Sequence, residues 1–384
     1  MLSFLDNDLY KFTMQQAIWR LYPDAHAVYT FINRNPERDK FDQSFVRQLR
    51  AQISQMADWR LTTDEEAYLC ELPYMLTGYP RWLAGYRYDP DEVIVGLTKE
   101  GQLGVRIAGP WQRTVLWEVP LMAMISELYC SKYPVDEQVA KEQLWAKVQI
   151  MQQCQAVHSD FGTRRRRSAA WHDNVVRCLQ SRLFAGTSNV HLARKYDVRA
   201  IGTMAHEWIQ AHAVLCGLGH ANRYALQAWR TIYPAWLDIA LTDTFGTAAF
   251  LADFDSALSR QFSGVRQDSG DPFKFVDRML AHYRTTDEDP TKKTIVFSNA
   301  LKPATDVPLL QARCKDRVRC HFGIGTELTN DFGPEAPAMN MVIKLTELNG
   351  VPVVKLSDDR TKACGDADAL RVARWTFFGT PLDS

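Results

Sequence analysis

The chain has 384 residues, which is enough for one large α/β unit or for two domains with a substantial core. Lysine plus arginine and aspartate plus glutamate both number 45, so no overall field favours nucleic acid or an acidic membrane surface. Any anionic ligand must therefore be bound by a local site.

The cysteine pattern and the first residues bear on the cellular setting. The eight cysteines are scattered without a C-x-x-C pair, which argues against a zinc module or a disulfide framework and predicts a reduced, cytoplasmic protein. The start MLSFLDNDLYKFTMQQ has early acids and no apolar core, so it predicts neither a secretory signal nor a transit peptide. No run approaches the roughly 20 apolar residues of a membrane span, and we expect a soluble protein with no membrane partner.

The first half predicts a mixed α+β region. Helical spacing of apolar residues in LDNDLYKFTMQQAIWRLYP indicates a helix that ends at Pro23, and the alternation in AVYTFINR predicts a strand after it. DEVIVGLTK and GQLGVRIAGP predict two strands joined by a turn at Glu100-Gly101. TVLWEVPLMAMIS follows as a buried apolar stretch, and residues 136–158 predict a long helix.

From about residue 160 the pattern becomes that of β-α units. Segments that can form strands end in small, polar or charged residues, and helical stretches follow them. The segments are FAGTSN near 184–189, VRAIGTMAH near 198–206, LDIALTDTF near 237–245, SGVRQDSGDP near 263–272, TIVFSNAL near 294–301 and VRCHFGIGTELTND near 318–331. They predict a parallel sheet, open or closed into a barrel, with a ligand beyond the carboxyl ends of the strands. Because every polar cluster falls at such an end, we expect the clusters to share one site.

RQDSGDP groups three charged side chains around a glycine turn. Its carboxylates can accept from hydroxyls or hold a hydrated divalent ion. Asp271, directly before Pro272, can equally well cap the following helix. For Arg266 together with Asp268, a functional role is favoured over a structural one.

FGTRRRRS concentrates four arginines after an aromatic residue and a glycine. Guanidinium groups match phosphate or carboxylate bidentately, and Phe161 can stack on a planar ring. Consecutive helical residues point in different directions, so only one or two of the arginines should contact a ligand, and a charge run is otherwise a solvated face. Arg164, nearest the turn, is the predicted contact.

FSNAL and FGIGT offer small residues and free amides at strand ends, an arrangement that favours phosphate. The candidate binding residues there are Ser298, Asn299, Gly323, Gly325 and Thr326. Together with an arginine and an acidic pair, these segments predict a phosphorylated sugar as ligand. Neither a GxGxxG fingerprint nor a GxxxxGK[ST] loop occurs in the chain.

IGTMAHEWIQAH contains two histidines with different interpretations. It is not a zincin motif, because H-E-x-x-H needs histidine where Gln210 stands, and a metal role is therefore disfavoured. His212 is interpreted as an ordinary core or surface histidine. His206 follows a small-residue turn at a predicted strand end with Glu207 beside it, and can be a general base or a nucleophile.

Seven long motifs stand in the order seen in nicotinate phosphoribosyltransferases: LDNDLYKFTMQQA, GPWQRTVLWEVPL, DFGTRRRRS, GTSNVHLARKYDVRAIGTMAHEW, RQDSGDP, FGIGTELTND and VIKLTELNGVPVVKLSD. The resemblance runs from about residue 5 to 360. It implies an α/β fold of the type II phosphoribosyltransferases, an irregular TIM-like barrel beside a smaller α+β, β-rich domain built from the N-terminal region and the C-terminal end. We predict the N-terminal domain at 1–130, with 340–384 contributing, and the catalytic barrel at 131–339.

The resemblance also implies an activity. Members join nicotinate to 5-phosphoribosyl 1-diphosphate, giving nicotinate mononucleotide and diphosphate in NAD biosynthesis, with coupling to ATP hydrolysis. His206 resembles the histidine that ATP phosphorylates, and Mg²⁺ would bridge the phosphates, with Asp268 as a ribose or metal contact. Tyr10 resembles a ring that reaches the pyridine from the partner subunit, which implies a homodimer with shared active sites.

Further roles follow from the same resemblance. Phe161 resembles the residue that stacks on the other side of the pyridine, and Arg164 and Arg266 resemble diphosphate and substrate contacts. Ser188 stands where nicotinamide-using relatives have aspartate, and because a hydroxyl can donate to a carboxylate it favours the acid substrate. The remaining predicted substrate-binding residues are Thr187, Asp243 and Lys344, and Asp243 and Glu207 are both candidates for orienting His206.

One position departs from the family pattern, and three alternatives stay open. Asn299 replaces an aspartate found in several relatives, which predicts weaker coordination there and weaker activity. A nicotinamide enzyme is disfavoured by Ser188, and a quinolinate enzyme by His206. A non-catalytic regulator that binds pyridine nucleotides has Asn299 as its only support, because the other motif residues are retained.

Overall fold

The computed structural model describes residues 1–379, which form two compact units. Unit 1 comprises Met1–Gln149, Ser159–Gly202 and Ile324–Leu345, and unit 2 comprises Ile150–His158, Thr203–Gly323 and the described residues 346–379. Both units are discontinuous in the chain. The predicted boundaries between folding domains, after residues 130 and 339, stay a prediction.

The strands are between two and eight residues long. They are β1 (His26–Asn33), β2 (Val93–Leu97), β3 (Leu103–Pro110), β4 (His158–Asp160), β5 (Phe184–Thr187), β6 (Ile239–Leu241), β7 (Gly264–Gln267), β8 (Thr294–Phe297), β9 (Arg319–Ile324), β10 (Met341–Leu348) and β11 (Val351–Pro352).

The α-helices alternate with the strands in the second half of the chain. They are α1 (Leu9–Leu21), α2 (Gln43–Gln55), α3 (Thr63–Glu71), α4 (Tyr79–Ala84), α5 (Trp111–Thr114), α6 (Glu118–Cys130), α7 (Glu137–Gln153), α8 (Ala169–Leu179), α9 (Val190–Lys195), α10 (His206–Leu215), α11 (Ala221–Ile232), α12 (Thr247–Asp253), α13 (Ser256–Gln261), α14 (Pro272–Thr285), α15 (Asp306–Cys314), α16 (Thr326–Thr329) and α17 (Ala367–Phe378).

Unit 1 contains an antiparallel sheet with the strand order β10-β1-β3-β2. The predicted turn at Glu100-Gly101 is confirmed: Val95 pairs with Val105, and Gly101 has the left-handed φ of +74° that glycine adopts without strain. The helix predicted before Pro23 is α1, and all but its last three residues are buried. The apolar stretch after β3 forms α5 and the largely buried α6, which pack into the core of this unit.

Unit 2 contains a parallel sheet in which the strands pair in the order β9-β8-β7-β6. The pattern of β-α units in the sequence predicted this parallel sheet. The α/β fold class, with a parallel and an antiparallel sheet, is confirmed. Residues 198–206 do not form the predicted strand, because only Ala200 makes a bridge, to Thr187, and the chain then runs irregularly to α10. Sequence reasoning missed β4, whose three residues are too few to show a period.

No helix among residues 1–379 combines the length and the apolar character needed to cross a bilayer.

Candidate functional site

The polar segments of unit 2 follow the strands at their carboxyl ends, as the sequence predicts. Asp243 lies two residues beyond β6, Asp268 directly follows β7, and Ser298 directly follows β8. Parallel pairing of Leu241 with Arg266 places the ends of β6 and β7 side by side. A strand register thus brings residues that are far apart in the chain to one edge of the sheet.

His206 is the first residue of α10, so its imidazole lies at the positive end of the helix dipole. Its Nδ1 is 3.0 Å from Thr244 Oγ1, and its Nε2 is 3.0 Å from Asp268 Oδ2. Asp243 Oδ1 is farther, at 3.8 Å from Nε2. Asp268, which is not one of the two predicted acids, is thus closer to His206 than Asp243 is.

Hydrogen bonds hold both carboxylates in place. Asp268 Oδ1 accepts from Ser298 Oγ at 2.9 Å. Asp243 Oδ2 accepts from Ser269 Oγ at 2.5 Å and lies 3.3 Å from Lys355 Nζ. Asp243 Oδ1, in contrast, is buried without a hydrogen-bond partner among the described residues.

The electrostatic surroundings keep the imidazole neutral and the carboxylates ionised. Burial, reinforced by the charge of Lys355, lowers the pKa of His206 to about 4. Burial opposes ionisation of Asp268, but the bond from His206 and the charge of Arg266 outweigh it and hold the pKa well below its usual range. An ionised Asp268 carboxylate can only accept a hydrogen bond, so the proton of the neutral His206 ring is on Nε2 and the lone pair is on Nδ1.

Two lysines of the site were missed by sequence reasoning. Lys355 is almost fully buried against Asp243, and Lys362 Nζ donates to the Asp268 carbonyl at 3.0 Å and to Asn299 Oδ1 at 2.6 Å. Lys355 could have been recognised, because it is a lone lysine within the apolar run VPVVKL, and a buried cation needs a partner of opposite charge. Lys362 lies in an exposed polar segment and carries no such signal.

The two remaining charged residues of RQDSGDP play different parts. Arg266 donates from Nη1 to the Met204 carbonyl at 3.3 Å, while its Nε is buried without a hydrogen-bond partner in the described part of the chain. Asp271 caps α14, because its carboxylate accepts from the backbone N–H groups of Phe273 and Lys274. The open question about Asp271 is thus resolved in favour of capping.

One group of metal-ligand type occurs among residues 1–379. Ligand atoms of His206, Asp243 and Asp268 lie within 4.8 Å of one another. The two carboxylates suit a hard divalent ion such as Mg²⁺, and the unpartnered Asp243 Oδ1 is an available oxygen ligand. The imidazole does not match the oxygen preference of Mg²⁺.

A second cluster of predicted residues lies within unit 1. Arg164 Nη1 is 3.3 Å from Glu118 Oε1, and its guanidinium lies 5.7 Å from the centre of the Tyr10 ring. Tyr10 donates to the same carboxylate oxygen at 3.4 Å, and Lys11 pairs with the other oxygen. Tyr10 and Arg164 therefore meet within one chain, and the predicted contribution of Tyr10 to a partner subunit stays a prediction.

The other arginines of FGTRRRRS are structural. Arg166 is fully buried and bonds to both oxygens of Asp6, at 2.6 and 2.9 Å, and to Glu127 at 2.7 Å. Arg165 and Arg167 donate to backbone carbonyls. The side chain of Arg164 is 41% exposed and lies beside Tyr10, another candidate residue. Thr163–Arg165 form a short 3₁₀ turn and Arg166 is extended, so the four arginines do not form the solvated helix face of the alternative interpretation.

Ser188 directly follows β5, and its hydroxyl donates to Asp8 Oδ1 at 2.7 Å. Its neighbour Thr187 is fully buried and donates to Asp160 Oδ2 at 2.6 Å, and His172 Nε2 contacts the same oxygen at 2.7 Å. The hydroxyl of Thr187 is thus engaged in the core of unit 1. Phe161, which follows β4, is partly exposed.

The remaining predicted residues lie on or beside β9 and β10. Gly323 is buried within β9, and Gly325 and Thr326 start α16. A Cβ on Gly325 would lie 3.0 Å from the Phe161 carbonyl oxygen, so this glycine permits a close approach of two chain segments. Lys344 is partly buried on β10. The prediction that these residues bind substrate stays a prediction.

Comparisons with known proteins agree with the motif order. The model of the nicotinate phosphoribosyltransferase (NAPRTase) family matches residues 156–380, and that of the NAPRTase N-terminal domain matches residues 5–126. The chain belongs to the nicotinate phosphoribosyltransferase family. A relative of that name from Methanosarcina mazei is 45% identical, and the match covers 99% of both chains. One from Desulforapulum autotrophicum is 46% identical, with 96% of each chain covered.

Solved structures of family members agree with the fold. The crystal structure of nicotinate phosphoribosyltransferase from Porphyromonas gingivalis superposes with a TM-score of 0.95 at 38% identity, covering 98% of this chain and 99% of that one. A putative nicotinate phosphoribosyltransferase from Saccharomyces cerevisiae gives a TM-score of 0.91 at 32% identity, with 99% of each chain covered. The fold class expected from the resemblance is thereby confirmed.

Proposed function

We propose that the protein transfers the phosphoribosyl group of 5-phosphoribosyl 1-diphosphate to nicotinate, and that ATP hydrolysis through a phosphorylated His206 drives the reaction. The products are nicotinate mononucleotide and diphosphate, which assigns the protein to cytoplasmic NAD biosynthesis by the salvage (Preiss-Handler) route. Family membership supports the transferase activity. The geometry that supports the ATP-coupled part is an imidazole at a helix start, bonded to Thr244 and Asp268, and the lowered pKa of His206 favours its neutral form.

Phosphorylation requires a nitrogen lone pair and a place for the phosphate. A neutral His206 supplies the lone pair, and the positive end of the dipole at the start of α10 favours a bound phosphate. The N–P bond forms while the bond from the γ-phosphorus to the bridging oxygen breaks, so that ADP leaves. Water then hydrolyses the N–P bond, releasing phosphate and restoring the imidazole.

Phosphoribosyl transfer separates charge, and the site offers groups of both signs. Positive charge develops on the anomeric carbon and negative charge on the departing diphosphate. Arg266 and Lys362 are cations suited to the diphosphate, and the resemblance assigns Arg164 to a diphosphate or substrate contact. Asp243 and Asp268 would hold Mg²⁺, which when bound offsets the charge of the phosphates.

The pyridine ring is assigned to the unit 1 residues by resemblance. In this proposal Tyr10 and Phe161 hold the flat ring by stacking, which orients a weak nucleophile towards the anomeric carbon. The protein works as a homodimer with shared active sites. Ser188 recognises the group at the ring's third position.

Nicotinamide is kept as a second candidate substrate because of one contact. The single proton of Ser188 is donated to Asp8, so the hydroxyl presents lone pairs elsewhere. Lone pairs suit the N–H groups of an amide better than the oxygens of a carboxylate. A parallel assay with both pyridines separates the two substrates.

The phosphohistidine is tested with γ-labelled ATP. We expect label that is acid-labile and base-stable, that disappears in His206→Ala and that remains in His220→Ala, a matched change at an exposed histidine. Product formation from nicotinate is then measured with and without ATP. Absence of label in the wild type would remove the phosphohistidine while leaving the transferase activity to be judged by product formation.

A further inference from the structure

The bond between Ser188 and Asp8 is fixed from both sides. Leu9 donates its backbone N–H to the Ser188 carbonyl at 2.7 Å, and Asp8 forms an antiparallel bridge with Asn189. The two side chains are therefore held 2.7 Å apart, between Ser188 Oγ and Asp8 Oδ1. Asp8 and Ser188 are only 2% and 4% exposed, so water has little access to the bond.

The charges around Asp8 leave it only partly compensated. Its nearest cation is Arg164, whose Nε is 3.9 Å from Asp8 Oδ2 and which also pairs with Glu118. Asp160 acts on Asp8 as a like charge, while the hydroxyls of Ser188 and Thr163 favour its ionised form. Burial outweighs these hydrogen bonds and raises the pKa of the Asp8 carboxyl.

A bound pyridine carboxylate would change the charge balance. Asp6, on the same segment as Asp8, is neutralised by Arg166 and contributes no free charge. Lys11 and Arg164 are then two cations facing Glu118, Asp8 and the incoming anion. Among these groups one negative charge is left over when Asp8 is ionised and none when it is protonated, and the like charge of Asp160 adds to the excess.

We propose that Asp8 is a specificity-determining positioning residue that sets the hydrogen-bonding role of Ser188. As a neutral acid, Asp8 donates its proton to Ser188 Oγ, and Ser188 is free to donate to the carboxylate of nicotinate. As a carboxylate, Asp8 takes the Ser188 proton, and Ser188 accepts from the amide of nicotinamide. This inference rests on the proposed function, in which Ser188 contacts the third position of the pyridine ring.

The proposal links binding to protons. Nicotinate binding above the pKa of Asp8 takes up one proton from solvent, so its affinity falls about tenfold for each further pH unit. Nicotinamide binding takes up no proton and is favoured when Asp8 is ionised. The preference for nicotinate over nicotinamide therefore falls as the pH rises.

The experiment measures the dissociation constants of nicotinate and nicotinamide from pH 6 to 9, together with proton uptake by calorimetry in two buffers of different ionisation enthalpy. In Asp8→Asn the amide always donates to Ser188, so we expect nicotinate affinity to become independent of pH. Ser188→Ala weakens nicotinate binding and removes the effect of Asp8→Asn. Asp64→Asn, at an exposed carboxyl of the same unit, should leave the wild-type profile unchanged.

Two results would overturn the proposal. One is nicotinate binding without proton uptake across the range, a measurement on the wild type that does not depend on folding of the variants. The other is an Asp8→Asn variant that keeps the wild-type pH dependence. A wild type that forms no nucleotide from nicotinate at any pH would instead contradict the proposed function, and the inference falls with it.

Discussion

Two clusters of buried carboxylates and cations, one in each unit, are completed to different degrees. In unit 1 the fully buried Lys11 and Arg166 meet Glu118, Asp6 and Glu127 in bonded pairs. In unit 2 Asp243 Oδ1 and Arg266 Nε are buried without hydrogen-bond partners among residues 1–379. Both atoms belong to candidate residues beside His206, and unpaired groups at such a position suit a ligand that completes their hydrogen bonding.

The contrast also separates two kinds of arginine within one motif. Arg166 has every charge-bearing group matched inside the protein, whereas Arg164 shares Glu118 and Asp8 and keeps an exposed face. A matched, buried ion pair is a structural element whose removal leaves an uncompensated charge. A partly exposed one has charge available for a ligand. The difference lies in the partners, since the residue type is the same.

The largest expected effect comes from breaking the matched pair. Arg166→Met should lower the free energy of unfolding by about 3–5 kcal/mol, because it leaves Asp6 buried without its cation. Arg164→Met, the matched control, should change stability by less than about 1 kcal/mol and weaken binding of the diphosphate substrate. Urea unfolding measures the stability of each variant. The dissociation constant of 5-phosphoribosyl 1-diphosphate measures substrate binding. Equal stability of the two variants would show that the contrast between them does not hold.

The second prediction concerns selectivity at Ser188. Ser188→Asp should reduce the preference for nicotinate over nicotinamide by roughly 10- to 100-fold, a change of about 1.4–2.8 kcal/mol, because a carboxylate repels the acid and accepts from the amide. The ratio of kcat/KM for the two pyridines measures it, and Ser181→Asp in the same unit is a control. Selectivity that stays unchanged would mean that Ser188 does not contact the ring.

The sequence predicts the parallel sheet well because its strands end at recognisable polar segments. Asp243, Asp268 and Ser298 all stand at such ends, and strand register alone brings them together. The strand predicted at 198–206 failed because apolar residues followed by a small-residue turn are equally compatible with an irregular approach to a helix. One bridge at Ala200 is all that forms.

The missed residues have a common physical cause. Asp8, Glu118 and Lys355 act through partners that lie 180, 46 and 112 residues away in the chain. Single charges in apolar runs, such as Glu118 in TVLWEVPLM, indicate a buried pair but cannot name the partner, which depends on tertiary packing. Recognition of Ser188 as a specificity position likewise could not reveal that its proton is donated to Asp8.

The third prediction concerns the charge beside His206 in the incomplete cluster. Lys355→Met should raise the pKa of His206 from its value of about 4, because the lysine is the second-largest cause of the depression after burial. The imidazole is neutral above its pKa and becomes protonated as the pH falls through it, so the variant should protonate at a higher pH. NMR of the histidine ring in protein freed of divalent ions measures the midpoint. A wild-type midpoint near 6.5 would mean that burial does not depress the pKa of this imidazole.

Asn299→Asp should have the smallest effect. Asn299 Oδ1 already accepts from Lys362 Nζ at 2.6 Å, and an aspartate oxygen would accept the same bond with added charge attraction. The substitution loses only the long bond from Nδ2 to the Gly270 carbonyl, at 3.4 Å. We therefore expect kcat/KM for nicotinate to stay within about twofold of the wild type or to rise. The new ion pair with Lys362 would be partly exposed, and such a pair contributes about 1 kcal/mol at most. A large loss would mean that the Asn299 amide donates to a ligand, which would add a further unfilled hydrogen-bonding group to unit 2.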